Sequence, residues 1–280
     1  MSTSCSAHPL RPMRVVAVAQ DKYLNPKNPF PDPKNLPARF VPKYGQDITS
    51  SIGRVARSLN SVGETETKLK SQMRKLLGLF ANDDKSGMAK RLFDAFLAKN
   101  KSVSYFEDRA LNRAAAAHSH IRHFLDAALS APNSPRRSAA PVRIHQSLKR
   151  AGWSVRNMNP PTNLGVPAFN KGNKLLSTGD FNNGLGLMVN GVQYAYLLAK
   201  NYHYNKSDGT YCITLRSVFY DVFGLDDDDL REFGTDKHTF FSFDASIGIT
   251  AWWQLQHQYG YAPLVTRIVV EKTFNNVPAI

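Results

Sequence analysis

Apolar and polar residues alternate over Tyr211–Val218. Tyr211, Ile213, Leu215 and Ser217 fall on one face, and Cys212, Thr214, Arg216 and Val218 on the other. A period of two, rich in β-branched and aromatic side chains, predicts a half-buried strand over 210–219. Val218-Phe219-Tyr220 thickens the apolar character, as a strand entering a core does. Asp221 then interrupts, Gly224 permits a turn, and four carboxylates follow at Asp226–Asp229. Carboxylates at such a junction satisfy the free N–H groups and the positive dipole end of a following helix. That reading suits Asp226–Asp229. It does not explain Asp221, which precedes the turn.

The same pattern extends through the C-terminal half. Residues 191–204 predict a second strand, joined to the first by the turn residues Asn205–Gly209 as an antiparallel hairpin. Residues 244–259 predict a helix capped by Asp244 or Ser246, with Ile247, Ile249, Ala251, Trp252 and Leu255 apolar. Residues 261–274 predict a last strand. Residues 151–280 therefore read as α+β, an antiparallel sheet with a packed helix, and 152–186 as a long loop-rich stretch.

In the N-terminal half the period becomes helical. Residues 46–60, 64–82, 85–99 and 104–129 predict four amphipathic helices, for example with Leu69, Met73, Leu76, Leu77 and Phe80 on one face and Lys68, Lys70, Arg74 and Lys75 on the other. Short connections between them predict a helical bundle over 46–130. Residues 1–45 carry Pro26, Pro29, Pro31, Pro33, Pro37 and Pro42, too many for a helix or a central strand, and read as an extended Pro-rich arm. Residues 131–150, with Pro132, Pro135 and Pro141 followed by a short helix over 142–150, read as a linker.

Charge sharpens this division. Of the net +14, residues 1–150 carry 26 Lys+Arg against 11 Asp+Glu, and residues 151–280 carry 10 against 11. The basic surplus belongs to the first half, which makes 46–130 a candidate for meeting an acidic partner, nucleic acid included. At 280 residues and 42% hydrophobic the chain can bury a sizeable core. No apolar run approaches the roughly 20 residues of a transmembrane helix, and no Sec signal peptide is visible. Cys5, in a tail, and Cys212, in a strand, occupy different contexts. The expectation is free thiols and synthesis in a reducing cytoplasm.

There is no Walker loop, His-Glu-x-x-His, Gly-x-Ser-x-Gly, CxxC pair or dinucleotide fingerprint, which weakens the ATPase, zincin, serine-hydrolase and Rossmann classes. His118, His120 and His123 read as a polar helix face, with a metal pair at His120 and His123 as the alternative. The acidic bend is the better candidate for chemistry. Asp221 and Asp226, with Arg231 and His238 downstream, form a candidate catalytic set in which a raised-pKa acid works beside an ionised partner. Asp226 and Asp228 are candidate oxygen ligands for a divalent cation.

Three segments together carry a resemblance: Tyr220-Asp221-Val222-Phe223-Gly224-Leu225-Asp226-Asp227, Ile249-Thr250-Ala251-Trp252-Trp253-Gln254-Leu255-Gln256, and Tyr261-Ala262-Pro263-Leu264-Val265-Thr266. Over 184–274 the chain resembles the C-terminal domain of a poorly characterised bacterial group found in type VI secretion clusters and at the toxin tips of polymorphic systems. Where that group has a tryptophan in the first strand region, this chain has Gly191-Val192-Gln193-Tyr194. The resemblance implies an antibacterial effector made in the cytoplasm and secreted into a target cell without a Sec signal. It also implies a secretion spike, adaptor or chaperone as loading partner, and a cognate immunity protein. The Asp221…Arg231 spacing is also similar to that of the colicin M group, which cleaves the lipid-linked peptidoglycan precursor. That similarity implies a hydrolase acting on the cell envelope. A non-enzymatic nucleic-acid-binding or scaffold protein working through the basic helices remains the alternative.

Overall fold

The computed structural model describes residues 4–21, 36–41, 65–129, 144–161, 165–167, 169, 182–234 and 243–280. The helix expected at 46–60 and the Pro-rich segments over 22–35 and 131–141 lie outside the described residues. Among those described, eight α-helices and five strands form a mixed α+β fold. No helix of the described residues is long and apolar enough to cross a membrane.

The sheet runs in the order β1 (Pro9–Gln20), β3 (Tyr194–Asn205), β4 (Thr210–Phe223), β5 (Leu264–Pro278), β2 (Ser104–Phe106). All neighbours are antiparallel except β2, which runs parallel to β5. The hairpin expected at 205–209 joins β3 to β4, with Tyr204 opposite Tyr211. The N-terminal segment yields a strand where an extended arm was expected. Pro9 and Pro12 are tolerated because β1 lies at the sheet edge, where a missing N–H costs no ladder bond.

Helix α1 (Glu66–Phe80) begins at Thr65, whose hydroxyl accepts from Lys68 N–H, and buries Leu69, Met73 and Leu76. Helix α2 (Met88–Leu97) buries Met88, Leu92, Phe93 and Phe96. The single helix expected over 104–129 is divided. Ser104–Phe106 is β2, α3 (Arg109–Ala117) is capped by Asp108, and α4 (Ser119–Ala128) is capped by His118, whose Nδ1 accepts from His120 N–H at 3.2 Å. His118 thus serves the backbone of its own helix. Short helices α5 (Ile144–Arg150), α6 (Leu185–Met188) and α7 (Asp227–Phe233) and the long α8 (Phe243–His257) complete the set.

These helices share their core with the sheet. One buried cluster includes Leu69, Met73, Leu92, Phe93 and Leu125 together with Leu197, Leu215, Phe219, Phe223 and Ile268. Helix α8 lies along α1 so closely that a Cβ on Gly248 would come within 2.6 Å of Leu76 Cγ. The opposite face of the sheet carries a smaller cluster in which Phe40 packs with Val218, Tyr220, Val222 and Val265. Burial on both faces explains why β4 reads as nearly continuous apolar sequence from Val218 to Phe223, with Asp221 as its exception.

Candidate functional site

The ends of β1 and β4 and the starts of β3 and β5 meet at one end of the sheet. A polar row stands at that level. Asp21 follows Gln20, the register partner of Tyr194, and its N–H donates to Gln193 O at 2.8 Å. Gln193 N–H donates to Tyr220 O at 2.9 Å. Asp221 pairs with Thr266, whose hydroxyl donates to Asp221 O at 3.0 Å. Gln193, Asp221 and Thr266 are all buried. Among the described residues Gln193 Oε1 has no hydrogen-bond partner, an uncommon and costly state for a buried acceptor.

The bend that follows β4 is clamped by the C-terminal end of α8. Gln256 Oε1 accepts from Leu225 N–H at 2.9 Å, and its amide donates to Leu225 O and to Phe40 O, each at 3.0 Å. His257 Nε2 lies 2.8 Å from Leu225 O, and Trp253 Nε1–H donates to Asp227 Oδ1 at 3.3 Å. A Cβ on Gly224 would sit 3.0 Å from Gln256 Oε1 and 3.1 Å from Pro263 Cβ, so close approach explains the glycine. The bond to Phe40 O also fixes Arg39, whose Nε lies 3.7 Å from Asp226 Oδ2.

Helix α7 starts in a capping box built from two aspartates. Asp226 Oδ1 accepts from the N–H groups of Asp228 and Asp229 at 2.9 and 3.0 Å, and Asp229 Oδ2 accepts from Asp226 N–H at 2.9 Å. The helix-start reading of this run agrees with that geometry. Burial pushes the Asp221 carboxyl well above the usual carboxylate range. The negative charges of Asp229 and Asp21 push the same way, against the Val222 N–H and the Arg39 charge. Burial also raises Asp229, to about 7, with the neighbouring Asp226 charge adding to it and Arg39 opposing. Burial therefore biases Asp221 toward its protonated form, while Asp229 exchanges its proton near neutrality.

Of the residues singled out from sequence, Asp221 and Asp226 belong to this end of the sheet. Asp228 is exposed and pairs with Arg231 at 2.6 Å on the outer side of α7. The carboxylates of Asp226 and Asp228 are thus engaged separately, one on backbone N–H groups and one on a guanidinium. Among the described residues no group of three His, Cys, Asp or Glu side chains is placed to hold a metal ion. His238 lies outside the described residues. Asp21, Arg39, Gln193 and Thr266 join the site from segments distant in sequence. No local motif marks them; strand register brings in Asp21, Gln193 and Thr266, and the Gln256–Phe40 bond brings in Arg39.

No protein-family model, curated protein or solved structure matches this chain. The site's own chemistry comprises a carboxyl pushed up by burial, a second carboxyl raised to about 7 and a guanidinium. Groups of these kinds can donate a proton, accept one and hold a negatively charged group.

Proposed function

We propose that this chain is an antibacterial effector delivered by a type VI-like secretion system, and that the polar end of its sheet is the toxic centre, a hydrolase acting on the cell envelope. The observation that carries the reading is the carboxyl of Asp221, buried at the end of β4 and pushed up by that burial, within the electrostatic reach of Asp229 and of Arg39, which is itself paired with Asp226. Strongly perturbed carboxyls gathered with a cation concentrate at catalytic sites. In this reading Asp221 is the proton donor, Asp229 the group that exchanges protons with water or substrate, and Arg39 the anchor for an anionic group. Asp226 holds Arg39 and caps α7, and Arg231 and Asp228 shape its outer side. The basic helical segment, 46–130, would load the protein onto a spike, adaptor or chaperone. An immunity protein would cover the toxic centre in the producing cell.

The test is expression of the full chain, once in the cytoplasm and once directed to the periplasm of a susceptible cell, beside Asp221→Asn and Asp229→Asn. Envelope toxicity predicts growth arrest only from the periplasm, with viability restored at least about 100-fold by D221N, as expected on removal of a general acid. Full toxicity of D221N would sink the catalytic assignment.

The nucleic-acid-binding reading ranks second for a structural reason. Residues 65–129 carry twelve Lys+Arg against seven Asp+Glu, and Arg74, Lys75, Lys90, Arg91 and Lys99 are each ion-paired. Binding through these helices would still show an affinity that falls steeply with salt, and a titration of the full chain against DNA at two salt concentrations distinguishes it.

A further inference from the structure

Cys5 and Cys212 are 207 positions apart in sequence and meet at the hairpin end of the sheet. Cys5 opens a short 3-10 turn, Cys5–Ala7, that packs on β3 and β4. Three contacts hold the turn there. Tyr202 N–H donates to His8 O at 3.0 Å, and His8 N–H donates to Cys5 O at 3.1 Å. The His8 ring stacks on His203 with centroids 4.0 Å apart and an interplanar angle of 14°. His203 is the register partner of Cys212 across the β3–β4 ladder, so the stack delivers Cys5 to Cys212. Both cysteines are buried free thiols, and after burial itself the Cys212 side chain is the largest influence on the Cys5 thiol.

We propose that Cys5 and Cys212 are a disulfide-forming pair, held reduced where the chain is made and cross-linked by an exogenous disulfide, small-molecule or protein, in an oxidising compartment. The step balances as thiol–disulfide exchange. One protein thiolate attacks a sulfur of the incoming disulfide and expels a thiolate, leaving a mixed disulfide. The second protein sulfur attacks the first and expels the other thiolate. Its proton and that of the first thiol end on the two expelled groups, so one disulfide is reduced as one is formed. Cys212 is the less deeply buried of the two, which makes it the attacking sulfur and Cys5 the resolving one. The bond would close a loop of most of the chain and constrain its unfolded state. It would pin the start of the chain to the hairpin at the sheet end opposite the carboxyl site. Nine strand residues, roughly 30 Å, separate Cys212 from Asp221, so the pairing does not depend on the proposed catalysis.

The experiment uses the full chain, purified reduced, freed of reductant and incubated with oxidised glutathione at neutral pH. The expected result is loss of both thiols, a mass lower by two hydrogen atoms, a Cys5–Cys212 cross-linked peptide on digestion without reductant, and a melting temperature raised by roughly 5–10 °C that dithiothreitol reverses. Cys5→Ser, which cannot resolve, is expected to stop at a single glutathione adduct on Cys212 with no such rise. Glutathione adducts on both cysteines of the wild type, or two thiols still free after prolonged incubation, would overturn the proposal.

Discussion

Replacing Gln256 with leucine tests whether α8 holds the acidic bend and the Arg39 segment in place. The leucine fills similar volume but makes no hydrogen bonds. Leu225 O keeps its contact with His257 Nε2 at 2.8 Å. Leu225 N–H and Phe40 O lose the side-chain partner that lies 2.9 and 3.0 Å away in the native protein. A buried polar group stranded in this way costs about 1–3 kcal/mol. Two such groups, partly offset by the apolar side chain, set the loss at about 3 kcal/mol. For a chain of this size that corresponds to a fall in melting temperature of roughly 5 °C. Thermal unfolding followed by circular dichroism measures it. A second readout is local. Arg39 holds the Asp229 carboxyl down, so loosening the Phe40 segment should raise the Asp229 titration further above about 7, as followed by carbon NMR of the carboxyl. Gln256→Glu, which keeps the acceptor for Leu225 N–H but loses the donors, is expected to fall between wild type and Q256L. A Q256L protein melting within about 2 °C of wild type, with Asp229 unmoved, would refute the clamp.

Three further outcomes follow from the same geometry. Folding raises the Asp229 carboxyl from 3.8 to about 7, so between those pH values the folded protein keeps a proton that the unfolded chain has released. This contribution is full below about pH 4 and is lost as pH rises through 7. Asp229→Asn, whose amide oxygen still accepts from Asp226 N–H, should therefore flatten the fall in stability over that window, and an unchanged slope in urea titrations at several pH values would refute the assignment. Asp221→Asn keeps the shape and removes the charged form that burial disfavours, so it should leave the melting temperature at pH 7 within about 3 °C of wild type, whereas a loss of 10 °C or more would overturn the upward shift of this carboxyl. Gly248→Ala drives a methyl to 2.6 Å from Leu76 Cγ and should cost about 1–3 kcal/mol in urea unfolding. Leu76→Ala in the same chain should recover part of that cost, and strict additivity of the two would contradict close packing of α1 on α8.

The elements that could be read from sequence were those whose pattern is local. The alternation over 210–218, the turn residues before it and the helical spacing of Leu69, Met73 and Leu76 each carry their own period, and the corresponding strands and helices are present. The Asp226 cap is equally local, because capping is settled within four residues. Edge strand β1 was hidden because the prolines from 26 to 42, all outside it, set the reading of the whole 1–45 segment. Strand β2, at three residues, is too short to show a period. The break at His118 was hidden because a histidine cap differs from the usual Ser, Thr, Asp or Asn. The candidate site was half legible for the same reason. Asp221 stands out as a polar interruption in an apolar strand. Asp21, Arg39 and Gln193 become neighbours only through pairings that span most of the chain, and the Cys5–Cys212 contact arises likewise.

Strand β1 completes the sheet beside β3, yet the ribosome releases it more than 170 residues before Tyr194 is made. At about 5–20 residues per second that interval is on the order of 10–35 seconds. Throughout it Val16, Ala17 and Ala19, fully buried in the finished protein, have no ladder to join. The hairpin of β3 and β4 and its continuation into β5 form from near neighbours, so the first strand synthesised docks onto a sheet already begun. Translation pauses or early proteolysis should therefore strike at β1, before its partner exists.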